Sequence, residues 1–478
     1  MVEPVTFVVW LIVLPLAWAA AAFVTGERIG AWLGVVGSAI QTFLVVWMVA
    51  TWHVAVPVIH RVGGWGAPLG IDLTVDGLAL AMLLLTQVVS LPLTIYARSY
   101  FSEDASKSRH FWPLAGFLIT GLNALFVSAD LFNIYVTLEI VGLSAVSLVA
   151  IGGGKAQISA ALRYLFATLI GSGAYLLGVA LIYGAFGSVS LATLIPLVGS
   201  NPPQAFALAG LLMLFGLMLK TALFPFHYWL PPAHGGAAAP VSALLSALVV
   251  KASFYLTLRL WTELFASIAD DIAWIPALLG AGAILWGSWR AIQAIRIKML
   301  IAYSTVAQLG YLFLVFPLLP GQDAIRATVM QACAHGAAKA AMFAAAGVLI
   351  KATGQDTMAG LAGMTGRLPL TLFAFGLAGM TLMGLPPSSG FLAKWQLIEA
   401  GMARDLWIIP VVALAGGLLT AVYIFRILSF AFLLSPSSVK IATVPRVQEW
   451  TAFALAAGSV LLGLRGVELM ALLPGQVP

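Results

Sequence analysis

The chain has 478 residues, 62% of them hydrophobic and only 8% charged, a balance that excludes a water-soluble domain and marks a polytopic membrane protein. A single cysteine, Cys333, excludes a disulfide framework and a Cys-ligated iron–sulfur centre, so no cofactor is expected and any electron transfer belongs to another chain. The net charge of +6 would suit nucleic acid, but the placement of the basic residues gives it a topological origin, and nucleic acid is not an expected partner.

Apolar runs long enough to cross a hydrocarbon core recur from end to end. Fourteen spans are expected, at roughly 5–25, 29–52, 74–97, 111–128, 130–151, 159–184, 205–228, 238–262, 272–290, 297–318, 324–350, 370–400, 406–432 and 448–472. The first run holds Pro15 and Trp18 and lacks a basic start or a cleavage site, so it reads as a retained helix rather than a signal peptide. Connections are short and free of low-complexity tracts, which predicts one all-α transmembrane domain over 1–478.

Basic residues sort by loop parity. Arg28, Arg98, Lys107, Arg109, Lys155, Arg163, Arg290, Arg296, Lys298, Lys351, Arg367, Arg426, Lys440 and Arg446 lie at or near connections after odd-numbered spans. Arg61, Arg259, Arg326, Arg404 and Arg465 lie on the opposite side. Lys/Arg excess marks the cytoplasmic face, which predicts a multi-pass protein of the cytoplasmic (inner) membrane, with both termini outside.

Five ionisable residues fall inside the spans: Glu139, Lys220, Lys251, Lys339 and Lys394. Each carries a penalty of about 2.5–3.5 kcal/mol at the bilayer centre, and the default meaning of such a residue is an ion or proton pathway. Glu139, nine residues into its helix, reads either as one half of a structural ion pair or as a proton station. Lys220 lies between Gly216 and Pro225, and Lys394 follows Pro386-Pro387-Ser-Ser-Gly390, so the seventh and twelfth spans are expected to be broken. Those spans are five apart and run in opposite directions, the pattern of an inverted repeat covering about 111–262 and 272–432. Lys251 is mid-span in the eighth. His335 and Lys339 are one turn apart and share a face, where two cations repel and a neutral, titratable state is favoured. The alternative for His335 is a hydrogen bond to a neighbouring carbonyl. Tyr303, Ser304 and Gln308 join the relay through hydroxyls and water or act as buried polar glue. His227 and His234 lack the cysteine or carboxylate that would complete a metal site and read as a polar cap for proton intake; no metal is expected.

These segments resemble a known family, the antiporter-like membrane subunits of respiratory complex I, membrane-bound hydrogenases and multi-subunit cation/proton antiporters. The likeness runs from about residue 65 to 432 and rests on Asn123 to Glu139, Lys220-Thr-Ala-Leu-Phe-Pro-Phe-His-Tyr-Trp-Leu-Pro-Pro-Ala-His234, Val241 to Lys251, Tyr303 to Tyr311, His335-Gly-Ala-Ala-Lys339 and Gly390-Phe-Leu-Ala-Lys394. It is strongest to the D-type antiporter and N-type quinone-oxidoreductase subunits. Pro232 stands where many members carry Asp, and Gln308 where several carry His. The resemblance implies a proton-translocating subunit of a cation/proton antiporter, exchanging Na⁺ or K⁺ or moving H⁺ alone, with Glu139 pairing Lys220 and protons passing through Lys251, His335 and Lys339 to Lys394. The alternatives to this preferred reading are a pumping membrane-arm subunit of an NADH-quinone oxidoreductase or hydrogenase, and the energising subunit of an inorganic-carbon uptake complex. Other membrane subunits, lipid and H⁺ are the implied partners.

Overall fold

The computed structural model describes residues 4–52, 57–199, 202–433 and 441–473; Lys440, placed above with the cytoplasmic charges, lies outside them. Helices α1 (Pro4–Thr25) and α2 (Glu27–Ala50) precede a two-stranded antiparallel hairpin, β1 (Val58–Arg61) with β2 (Asp72–Val75). Then come α3 (Gly77–Tyr100), α4 (Ala105–Val127), α5 (Leu131–Ala150), α6 (Lys155–Phe186) and the short α7 (Leu191–Val198). The next crossing is α8 (Gln204–Thr221) followed by α9 (Leu230–Gly236), and the one after it is α10 (Ala239–Leu244) running through a π turn, Leu245–Val249, into α11 (Val250–Glu263). A short α12 (Ala266–Ile272) leads to α13 (Trp274–Gln293), α14 (Ile297–Leu314) and α15 (Gln322–Thr353). The remainder is α16 (Pro369–Met383), α17 (Ser389–Ala403), α18 (Ile408–Phe432), α19 (Arg446–Leu464) and α20 (Gly466–Met470).

Among the described residues, thirteen stretches are long and apolar enough to cross a membrane. The twelfth expected span is absent from that count because two shorter helices, α16 and α17, make it together. Both breaks have a local cause. Helix α8 ends at Ala222, which takes a left-handed φ of 59°, and α16 ends at Gly384 with φ 82°. Each reversal releases the last carbonyls of its helix, and the prolines that follow cannot rejoin the ladder.

The Ala-rich α15 is buried along nearly its whole length, since small side chains let neighbouring helices approach closely. Helices α1, α2, α18 and α19 lie at the periphery and turn large apolar residues such as Phe43, Leu418 and Phe425 outward. Buried polar groups stitch the layers together. Pro15 lacks the N–H that would cap the Leu11 carbonyl, and Asn123 Nδ2 (2.8 Å) and Gln41 Nε2 (3.1 Å) donate to that oxygen instead.

Candidate functional site

Three glycines build the first end of the site. A Cβ on Gly216 of α8 would stand 2.2 Å from the Gly171 carbonyl of α6, and one on Gly142 of α5 would stand 2.7 Å from Thr168 Oγ1. Only glycine permits these approaches, and they converge α5, α6 and α8 on Lys220. Its Nζ donates to Thr168 Oγ1 at 2.6 Å and lies 3.9 Å from Glu139 Oε1. That separation is an ion pair without a hydrogen bond, and Glu139 Oε1 has no hydrogen-bonding partner. Beside it, a cavity of about 20 Å³ is lined by Lys220 and Thr168 and by Val249, Ala252 and Ser253, which flank Lys251 in the chain.

The centre of the site is set by the π turn, which widens the helix ladder just before Lys251. Lys251 is fully buried and its Nζ donates to the Ser246 carbonyl. Ser246 Oγ meets Thr305 Oγ1 of α14 at 2.9 Å. Next to Thr305, Ser304 Oγ accepts from Lys339 Nζ, which also donates to the Ile301 carbonyl at 3.0 Å. Gly336 of α15 allows this packing, because a Cβ there would lie 3.1 Å from the Ala247 carbonyl in the π turn. His335 stands within electrostatic range of Lys251, Lys339 and Lys394, and neither of its ring nitrogens has a protein partner.

From Lys339 the row continues through α14 and α18. The Tyr423 hydroxyl donates to Thr420 Oγ1 at 3.2 Å and faces Ser304 and Gln308. Gln308 Nε2 donates to Thr420 Oγ1 (3.2 Å) and to the Leu382 carbonyl (3.3 Å), while its Oε1 accepts from Gln331 (3.2 Å). The same Leu382 carbonyl accepts from Lys394 Nζ at 2.6 Å. The Met383 carbonyl is 3.1 Å from that ammonium, and the Tyr311 ring centroid 4.5 Å.

A cavity of about 530 Å³ opens at the end of the molecule that carries most of the basic residues, lined by Glu103, Asp104, Lys107, Gln157, Lys298 and Lys351 among others. Hydrogen bonds from the Lys107 ammonium and its backbone N–H hold the Asp104 carboxyl below its usual range. Lys298, expected at or near a connection, stands in the first turn of α14 with its side chain buried, and its Nζ donates to the Ala237 carbonyl. His234 is fully buried, has no partner on either nitrogen, and lies within electrostatic range of Lys298, Lys251 and Lys339.

Of the residues singled out in the sequence, the structure brings Glu139 with Lys220, and Lys251, Lys339, Ser304, Gln308 and Lys394 into one series, with His335 and His234 beside it. Tyr303 is elsewhere: its hydroxyl accepts from Arg290 at 3.3 Å. His227 is half-buried against Phe224 at the broken end of α8. Thr168, Ser246, Thr305, Gln331, Thr420 and Tyr423 join the series without having stood out in the sequence. Among the described residues no group of three His, Cys, Asp or Glu is placed to hold a metal ion.

Residues 128–420 match the family described as NADH:quinone oxidoreductase/Mrp antiporter, TM. The chain belongs to that family. The N-type subunit of the NADH-quinone oxidoreductase of Desulforudis audaxviator is 35% identical over 382 residues, 78% of this chain and 75% of that one. The D-type subunit of the Na(+)/H(+) antiporter of Alkalihalophilus pseudofirmus is 30% identical over 373 residues, with the same two shares. A chain in the solved structure of the Mrp complex from Dietzia sp. DQ12-45-1b superposes with a TM-score of 0.91 at 25% identity, covering 99% of this chain and 96% of that one. These family members are membrane subunits of multi-subunit assemblies, and this chain is a multi-pass integral membrane protein of the same fold.

Proposed function

We propose that this chain is the proton-translocating membrane subunit of a multi-subunit cation/proton antiporter. The observation that carries the reading is the row of buried amines, hydroxyls and amides from Lys220 to Lys394. Nothing in protein stability calls for four lysines at this depth, each with its own penalty. Glu139 is the adjustable group, because its carboxylate holds Lys220 by charge alone at 3.9 Å. A movement that weakens the pair by about 1.4 kcal/mol shifts the proton equilibrium of Lys220 tenfold.

The proton then passes toward Lys251. A cavity holds one water once it offers roughly 10–15 Å³, and the space of about 20 Å³ beside Lys220 meets that requirement. Beyond Lys251 the path runs through Ser246, Thr305, Ser304 and Lys339, with His335 alongside, and on through Gln308 to Lys394. The large polar cavity, Lys298 and His234 form the intake. Both termini lie on the outer side, as the basic residues imply, and the broken helices α8–α9 and α16–α17 occupy equivalent places in two inverted repeats.

A second reading, a pumping subunit in the membrane arm of a quinone oxidoreductase, draws on the 35% identity to such a protein. Purification of the tagged chain from its native membrane, followed by mass spectrometry of the intact assembly, separates the two. Small hydrophobic subunits without redox proteins are expected, and proteoliposomes of that assembly should exchange H⁺ for Na⁺ or K⁺. Co-purified redox subunits, with no exchange of either cation, would overturn the antiporter reading.

A further inference from the structure

Helix α11 carries a second polar stripe, aimed away from the row. Lys251, Tyr255, Arg259 and Glu263 recur every fourth residue and therefore share one face, running from the membrane centre to the end of the helix that faces the β1–β2 side. On spacing alone this is a short route from Lys251 to that surface. Its hydrogen bonds contradict such a use. The Tyr255 hydroxyl has one proton to give, and commits it to the Phe126 carbonyl at 2.7 Å rather than to the next group of the stripe. Its oxygen in turn accepts from Arg259 Nε at 2.9 Å.

Arg259 is the second obstruction. A guanidinium stays charged at every pH a protein meets and cannot release a proton to a neighbour. This one is only 7% exposed, yet it is fixed from two helices. Asp76, at the start of α3, takes Nη2 on both carboxylate oxygens at 2.8 Å, and Glu263 takes Nη1 at 2.9 Å. Its Cζ lies 5.1 Å from the Tyr255 ring centroid. Two carboxylates compensate the buried cation, so the fold tolerates it, and their oxygens are engaged by its N–H groups rather than turned to a proton leaving Lys251 along this helix.

We propose that Tyr255 and Arg259 seal the α11 face of Lys251, with Asp76 and Glu263 as the positioning residues that hold the seal. Protons reaching Lys251 are thereby denied the short way out and turned toward Lys339 and Lys394. The inference rests on Lys251 being a proton station, as proposed above, but it is read out without any coupled transport.

The experiment is the passive decay of an imposed pH difference across proteoliposomes holding the complete assembly. Arg259→Gln should raise the leak severalfold over the wild type, and adding Lys251→Met should return it to the wild-type rate. An intact Arg259→Gln assembly with no added leak, or a leak that Lys251→Met leaves in place, overturns the seal. Should Arg259→Gln fail to assemble, Arg259→His gives the same test, because an imidazole takes up and releases a proton where a guanidinium cannot. Arg259→His should likewise leak severalfold more than the wild type, and an intact assembly of that variant with no added leak would refute the seal. Coupled transport in Lys251→Met alone is a separate readout, and its full retention would sink the relay rather than the seal.

Discussion

The two broken helices present their lysines in different electrostatic company. Lys220 sits in the last turn of α8 and faces a carboxylate from α5 and a hydroxyl from α6. Lys394 belongs to the second half of its crossing and reaches back to the carbonyls that end the first half, Leu382 and Met383. Gly384 makes that reach possible, since a Cβ there would stand 2.7 Å from Lys394 Cδ. The helix end supplies a fixed partial charge, on the order of half an elementary charge, whereas Glu139 supplies a whole charge on a side chain of a separate helix, α5. One lysine is thus held by a partner that can change, the other by a partner that cannot. In a relay, the first arrangement suits a controlled start and the second a constant finish.

The largest effect expected from breaking this comparison is the loss of either ammonium. Lys394→Met and Lys220→Met should each bring cation-dependent proton transport in proteoliposomes down to that of empty vesicles, with the assembly still intact on a native gel. If Lys394→Met transported normally, the carbonyl-held lysine would be structural and the row would end at Lys339. Glu139→Gln should be milder, because Thr168 still holds Lys220. The expected loss is roughly tenfold, the equivalent of one pKa unit, and a loss as complete as that of Lys220→Met would mean that the carboxylate itself carries protons. Making the ends alike is the converse test. Gln331 lines a small cavity with Lys394 and Tyr311, so Gln331→Glu gives Lys394 the full charge it lacks. Protons should then be retained longer at Lys394, with a reduced maximal rate of transport but an unchanged assembly.

Much of this contrast is legible in the sequence, and the exceptions have physical reasons. Apolar run length dictates the crossings, and Pro225, Pro386 and Pro387 mark the breaks, since proline cannot continue the ladder wherever it stands. The buried charges stand out because lipid tolerates so few. The π turn before Lys251 has no such mark: Leu245-Ser-Ala-Leu-Val249 contains neither glycine nor proline. Lys298 and Arg259 read only as topological charges at or near connections, because position near a helix end does not reveal which way a long side chain turns. The bridging hydroxyls are hidden for another reason. Thr305 and Thr420 also bond carbonyls one turn back, Ile301 at 3.0 Å and Gly416 at 2.7 Å, which is the ordinary habit of threonine in any helix. Tyr303 of α14 and Tyr423 of α18 differ in burial and neighbours, which no residue count supplies. Thr168 alone has a usable signal, in Gly142, Gly171 and Gly216 on three helices around it.

Those glycines give the next smaller prediction. Gly216→Ala pushes a methyl group against the Gly171 carbonyl, backbone against backbone, so α6 and α8 must separate. A loss of roughly 1–3 kcal/mol is typical of such overpacking, and it should appear as a lower unfolding temperature of the purified assembly together with partial loss of transport. An equivalent methyl at Gly376 of α16, where no atom lies within 4 Å of the added Cβ, should leave both unchanged.

The smallest effect should come from Thr168→Val, and it bears most closely on how Lys220 is held. The change keeps the side chain's shape and removes only the oxygen that accepts from Nζ at 2.6 Å. Side-chain hydrogen bonds between membrane helices contribute about 0.6 kcal/mol on average, roughly a threefold change in an equilibrium. Taken alone, the variant should lose no more than that in transport rate, because Glu139 still holds the ammonium. In a Glu139→Gln background the same change removes the last strong partner, so the combined loss should exceed the product of the single ones. A double-mutant cycle measures that excess. Independent effects would show that charge and hydroxyl act on different steps, and the adjustable hold on Lys220 would then belong to Glu139 alone.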